Sequence, residues 1–349
     1  MGSVKDLEIL EKPSGDRAGR GRFVYSDRYS VFDWGEMPDH IPDKGKSLCM
    51  VSAYFFEMLE REAIKTHYIG LVEGGEVKRL GDMVEPSGTM EVELVRVIEP
   101  RETGEAFDYS IFKEERTNLL IPLEVIYRNS LPPGSSVFKR LRDGSLNLED
   151  IGLDEMPEPG QMLDEALLDF STKLEPGDRY LDRAEAKEIC GMSEGELEAI
   201  KKLALLINDR ISGESGKLGL VNEDGKVEFG FDSGRNLMLV DALGTLDECR
   251  FTFEGFPVSK EVARIHYRKT DWYGEVERAK KEDAINWKGL VANPPPPLPE
   301  ELLRPISQLY TAYANQLTGR RFFDAPPLEE PLRVISDMVG SDGRWEPRN

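Results

Sequence analysis

The run "KVEFGFDSGRNLMLVDAL", Lys226 to Leu243, constrains the fold of this chain more than any other stretch. "KVEFGF" alternates charged and apolar residues, "DSGRN" consists of turn formers, and "LMLVDAL" is a second apolar run. Alternation, turn and return specify an antiparallel hairpin, with Glu228 inside its first strand and Asp241 near the end of its second. Antiparallel neighbours can set two such carboxylates side by side, which is unfavourable without a cation between them. A magnesium ion would answer that, since it takes hard oxygen ligands and commonly arrives with nucleotide phosphates. An exposed face of a surface hairpin is the plainer reading, and spacing alone leaves both open.

The chain has 349 residues, enough for two domains or one large one with a substantial core. Its formal charge of −21 argues against nucleic acid as a partner, because a phosphate backbone demands a basic footprint. Anionic metabolites stay open, since they bind at local clusters of Arg, Lys and backbone amides. No run of about 18 apolar residues exists, so no membrane span is expected. "MGSVKDLEILEK" lacks an apolar signal core, which favours the cytoplasm. Cys49, Cys190 and Cys249 are odd in number and scattered, and read as reduced thiols. His40, His67 and His266 make no metal-spacing motif; His67 suits a structural strand end, and Trp34 a partly buried aromatic.

The first third reads as strand-rich. "LEILEK" and "GRFVYSD" flank the loop Pro13 to Gly21, which suits either a phosphate cradle or a mobile turn. Apolar residues at helical spacing predict an amphipathic helix from Ser47 to Ala63. "THYIGLVEGGEVKRL", "GTMEVELVRVIEP" and "NLLIPLEVIYRN" read as strands, with a domain hinge at Pro122. "PPGSSVFKRL" is the clearest anion-binding candidate: Gly134 allows close approach, Ser135 and Ser136 can donate, and Lys139 and Arg140 supply charge. Helices are expected from Arg183 to Ile189, across "SEGELEAIKKLALLINDRI" with Ser193 as its cap, and across "SKEVARIHYRKTDWYGEVERAKK". "NPPPPLPEE" reads as a rigid spacer before a final helix that ends at Gly319.

Taken in order, these segments resemble the SAICAR synthetase family. "SDRYSVFD" with "IPDKGK", then "THYI", "PLEVIYRN" with "GSSVFKR", "GKVEFGFD", "TLDECRF" and "LPEE…LYTAYANQLTG" are similar to the family's blocks, in the family's order. The resemblance implies an α+β, two-lobed fold: residues 1–121 as a β-rich lobe like a kinase N-lobe, and 122–349 as a larger α+β lobe. It implies an ATP- and magnesium-dependent ligase. Such an enzyme joins carboxyaminoimidazole ribonucleotide to L-aspartate through an acyl phosphate, releasing ADP and phosphate. Carried over, Glu228 and Asp241 would hold magnesium and Lys226 the nucleotide phosphates, with Lys226, Asp241 and Asp33 the catalytic candidates. Arg128, Ser135 and Arg250 would hold the ribonucleotide, joined by Lys44, Lys139, Arg140 and Lys173 on the substrate side. Small-molecule substrates are the expected partners, and homo-oligomerisation is left open.

The sequence also departs from the family pattern. The N-terminal "EKPSGDRAGRG" offers no clean counterpart to the nucleotide loop, and Lys12 is the candidate for its lysine. Ala242 follows Asp241 where an acid is expected, and "TLDECR" lacks the family's proline and two serines. Asp178, Arg179 and Tyr180 stand where His-Asp-Glu would be. Loop changes of this kind can alter the substrate. A paralogous ligase or kinase-like enzyme acting on another carboxylate therefore stands as the alternative, with a nucleotide-binding protein without turnover as a third reading.

Overall fold

Two antiparallel sheets dominate the computed structural model, which describes residues 4–104, 106–283 and 286–340. The outer ends of the two expected lobes, residues 1–3 and 341–349, lie outside the described residues. The five-stranded sheet runs Lys5–Glu11, Gly19–Tyr25, Thr89–Leu94, Tyr68–Glu73, Glu76–Lys78. The eight-stranded sheet runs Tyr180–Leu181, Gln161–Thr172, Leu123–Leu131, Val221–Phe231, Cys249–Phe253, Phe256–Pro257. Leu237–Val240 and Leu119–Leu120 both pair with the far half of Val221–Phe231. The hairpin read from sequence is therefore present, and it joins the sheets: His67 N donates to Leu239 O at 2.9 Å, and Leu239 N to Lys65 O at 3.0 Å.

Strand parity sets the layers. In Val221–Phe231 the side chains of Val227, Phe229 and Phe231 enter the core, whereas Asp224, Lys226 and Glu228 share the other face. Gly225 lies on the core side because a Cβ there would sit 2.2 Å from the Tyr127 hydroxyl. The helix Glu194–Gly216 covers that side with Leu197, Ile200, Ala204, Ile207 and Ile211, and the expected Ser193 cap closes a full capping box with Glu196.

Three expectations need correction. The helix predicted from Ser47 spans Lys44–Arg61, because the Asp27 carboxylate accepts from the Asp43 and Gly45 amides and caps it from a distant segment. The long helix expected after Ser259 is two, Glu261–Tyr267 and Asp271–Glu282. Thr270 interrupts it by accepting from Tyr273 N at 3.3 Å while donating to Tyr267 O at 2.6 Å. The proline run is packed down rather than acting as a spacer. Leu298 is buried, its amide donates to Asp39 at 3.1 Å, and Pro296 O accepts from the Tyr267 hydroxyl at 2.9 Å.

The helix Glu300–Thr318, closed by Gly319 at φ 66°, packs on Lys44–Arg61. Its Tyr310 hydroxyl donates to Asp247 at 2.7 Å and its Tyr313 hydroxyl to Gly244 O at 3.2 Å, so the helix is fastened to the connection between Leu237–Val240 and Cys249–Phe253 of the larger sheet. A further helix, Glu329–Gly340, follows it and had no reading in the sequence.

Candidate active site

The polar face of the larger sheet assembles from four strands. Arg128 pairs in register with Asp224, Asp224 with Arg250, and Ser171 with Glu124, so these side chains project on one side. Two charged zones result. The first gathers Lys173, Lys226, Glu124, Glu228 and Glu248, with Asp241 and Lys5 at its border. Lys173 Nζ lies 2.6 Å from Glu228 Oε1, and Lys226 Nζ lies 3.1 Å from the same oxygen. Lys226 also reaches Glu124 at 2.9 Å and Glu248 at 3.6 Å. Lys5, from the first strand of the other sheet, closes on Asp241.

The electrostatics follow from this crowding. Glu228 is buried, and desolvation and then the negative charge of Asp241 raise its pKa against the pull of Lys226 and Lys173. Burial also opposes charge on Asp241, but Lys5, Lys173 and Lys226 outweigh it and hold that carboxyl below its usual range. Asp241 adopts a left-handed backbone, φ 69°, which a short polar side chain tolerates and which falls just past the strand Leu237–Val240. The hairpin is thus no exposed surface feature: its two carboxylates sit in a nest of lysines.

The second zone is a ladder of alternating charge. Arg250 Nε donates to Asp224 at 2.7 Å, and Arg128 Nη1 donates to Asp224 at 3.2 Å. Arg128 Nε donates to Asp169 at 2.8 Å, and Arg140 donates to the other Asp169 oxygen at 2.9 Å. Arg128 is buried, and its Nη2 also meets Ser136 Oγ at 3.2 Å and the Tyr180 hydroxyl at 3.3 Å. Ser135 caps the helix Ser136–Asp143 by accepting from Val137 N at 3.4 Å, and it is Ser136 that enters the network. Lys139 lies exposed on that helix.

The structure therefore brings together Lys226, Glu228, Asp241 and Lys173, and beside them Arg128, Arg140 and Arg250. Asp33 stays on the surface: its side chain is 91% exposed and 3.3 Å from Lys280. Partial desolvation and then the charge of Glu124 raise the pKa of Asp178, opposed by Lys226, with Asp33 adding to the rise. Two candidates are corrected. Lys44 is fully buried, with Nζ 2.7 Å from Asp247 and 3.2 Å from Arg28 O, and serves an internal ion pair rather than the substrate side. Lys12 is exposed beyond the end of the strand that begins at Lys5, about 20 Å further along an extended chain from the Lys5 that meets Asp241. The loop Pro13–Gly21 turns its carbonyls to the inter-sheet segment: Asn118 donates to Arg17 O at 2.7 Å and Thr117 to Gly15 O at 2.9 Å.

His67 is the structural residue expected. It lies between the rings of Phe23 and Phe56, and burial lowers its pKa to about 4. Trp34 packs edge-on against Trp272. Cys49, Cys190 and Cys249 are all buried and free. Sequence reasoning missed Lys5, Glu124, Asp169 and Glu248. Glu124 and Asp169 were visible as polar breaks in apolar strands, whereas Lys5 and Glu248 carried no signal. Among the described residues no group of three or more His, Cys, Asp or Glu could hold a metal, and no helix is long and apolar enough to cross a membrane.

Comparison with known proteins agrees with this arrangement. The SAICAR synthetase family model matches residues 14–279. A protein of Archaeoglobus fulgidus provisionally named a phosphoribosylaminoimidazole-succinocarboxamide synthase is 52% identical, over 97% of this chain and 100% of its own. The Saccharomyces cerevisiae SAICAR synthase complexed with SAICAR superposes with a TM-score of 0.61 at 22% identity, over 92% of this chain and 94% of its own. A type-2 SAICAR synthetase in complex with ADP gives 0.55 at 23%, over 81% and 97%. At those identities the two structures speak for the fold, and the family match with the Archaeoglobus relative speaks for kinship. This chain belongs to the SAICAR synthetase family, the ATP-dependent carbon–nitrogen ligases of purine biosynthesis.

Proposed function

We propose that the polar sheet face joins the imidazole carboxylate of carboxyaminoimidazole ribonucleotide to the amine of L-aspartate, with ATP as the activating substrate. The observation that carries this reading is the adjacency of the two zones. A lysine–carboxylate nest suited to nucleotide phosphates lies beside an arginine ladder suited to a sugar phosphate. A carboxylate becomes an electrophile only when its oxygen is made a leaving group, and transfer of the terminal phosphoryl group of ATP does that. The protein's part is positioning and charge stabilisation. Lys226 and Lys173 would steady the transferred phosphoryl oxygens, and Asp33 and Asp178 would face the amine.

Glu228 and Asp241 fit a magnesium ion. They are two hard oxygen donors whose charge here rests on lysines, and magnesium completes its shell with water and phosphate oxygens. When bound, the ion supplies charge neutralisation to the nucleotide phosphates. The ADP carried by the type-2 relative supports a nucleotide in this cleft. The small sheet, complete by Leu94, supports a division close to the proposed 1–121 and 122–349, although Leu119–Leu120 already pairs in the larger sheet, and the cytoplasm is the proposed compartment.

The test is ADP release by purified protein with magnesium ATP, the ribonucleotide and L-aspartate, omitting each in turn. Turnover that needs all of them is expected. Turnover with a different acid or amine, and none with these, would move the assignment to the paralogous ligase, for which the altered segment Asp178–Tyr180 is the argument.

A further inference from the structure

Tyr180 stands at the junction of the arginine ladder and the helix Ser136–Asp143. Ser136 Oγ donates to its hydroxyl at 2.8 Å and Arg128 Nη2 donates to it at 3.3 Å. The Arg140 guanidinium lies over its ring, 4.2 Å from the centroid. Two donors thus converge on one phenol oxygen, which they treat as they would an anion's. A phenol carries one hydrogen of its own, and among the described residues no acceptor takes it. In register, Tyr180 is opposite Ser171, whose buried hydroxyl has no partner either. An Arg–Ser–Tyr triangle with a spare hydroxyl hydrogen, backed by the unpartnered hydroxyl of Ser171, is donor-rich.

The surrounding charge points the same way. Three guanidinium groups, Arg128, Arg140 and Arg250, converge on the two carboxylates Asp169 and Asp224, and Glu223 stands near enough to Arg250 to feel its charge. Arg179, the neighbour of Tyr180, is turned away to Glu175 at 3.1 Å and to Glu185, so it adds nothing to the ladder.

We infer that Tyr180 is a substrate-binding, specificity-determining residue that donates its hydroxyl hydrogen to the anionic end of the ribonucleotide, alongside Arg128 and Ser136. The inference rests on the reaction proposed above for its substrate class, but the anion preference stands on the donor set alone. Its ring beneath Arg140 fixes that guanidinium at one wall of the subsite by cation–π contact.

Tyr180→Phe keeps the ring under Arg140 and removes only the hydroxyl. A lost hydrogen bond to a charged group corresponds to about a ten- to hundredfold change. The expected result is a KM for the ribonucleotide raised by that factor, with KM for ATP and aspartate and the melting temperature close to wild type. Calorimetry with ribose 5-phosphate, which needs no turnover, should show the same loss. A KM and a ribose 5-phosphate affinity within twofold of wild type would overturn the inference, as would a fall confined to melting temperature and kcat. If wild-type protein binds ribose 5-phosphate and Tyr180→Phe does not, yet neither turns over the ribonucleotide, the Tyr180 assignment holds and the proposed reaction fails.

Discussion

Lys5 and Asp241, 236 residues apart in the chain, form an ion pair between the first strand of the small sheet and the end of the hairpin in the large one. Lys5 sits over the rings of Phe23 and Tyr25, at 5.0 Å and 5.9 Å from their centroids, and burial alone would lower its pKa. Asp241, Glu248 and Glu228 reverse that and raise it. Lys5→Met should therefore leave Asp241 facing Glu228 with one cation fewer and destabilise the metal-free protein by about 3 kcal/mol. Magnesium should restore more stability to the variant than to wild type. Thermal melts with and without magnesium decide it: equal magnesium shifts in both proteins would mean that Lys5 and the metal do not share the carboxylate.

Asp241→Asn keeps the size of the side chain and discards its charge. Nucleotide binding should lose its dependence on magnesium while the fold persists, because one of two hard donors is gone. Titration of ADP in the presence and absence of magnesium, read by calorimetry, checks this. An unchanged magnesium dependence would remove Asp241 from the metal site.

Arg128→Met breaks the charge ladder at its centre. Asp169 and Asp224 would then face each other across a buried gap with only the outer arginines to hold them. The expected cost is about 3–5 kcal/mol, measured by urea denaturation. A loss below about 1 kcal/mol would mean that the ladder is loosely hydrated rather than dry.

Glu223 gives stability a pH dependence. Burial raises its pKa to about 7, opposed by Arg250 and reinforced by Asp224 and Glu261. The folded protein therefore holds a proton that the unfolded chain releases near pH 4.5, so this contribution is full below pH 4.5 and falls as pH rises to about 7. Solvent screening on its open side reduces the effect to about 1 kcal/mol. Glu223→Gln should flatten that part of the curve of urea midpoint against pH, and an unaltered slope would assign it to another group.

Much of this molecule was legible in its sequence, for identifiable reasons. Alternation revealed the hairpin strand from Lys226 to Phe231 with Glu228 inside it, and Ser193 announced its helix. What escaped depends on contacts between segments remote in the chain. Asp27 caps a helix that begins 17 residues later, at Lys44, which local pattern cannot disclose. Lys44 looks like any basic residue near a cleft until Asp247 and Tyr310 close over it. Lys5 and Lys12 bracket the same short strand, and only the register with Gly19–Tyr25 tells which end reaches the hairpin. Homology supplied the order of the blocks but could not say that Ser136, rather than Ser135, turns toward Arg128.

The clamp formed by Glu300–Thr318 has a consequence for biogenesis. The buried side of Lys44–Arg61 finds its cover in a helix made some 240 residues later, and Arg320 then donates to the carbonyls of Leu80 at 2.9 Å and Gly81 at 3.0 Å. During synthesis the early helix emerges without that cover and waits for it. A nascent chain stalled before Glu300 would thus expose a greasy helix flank to chaperones. The ligase comes into being only when its last large helix leaves the ribosome and seals the first.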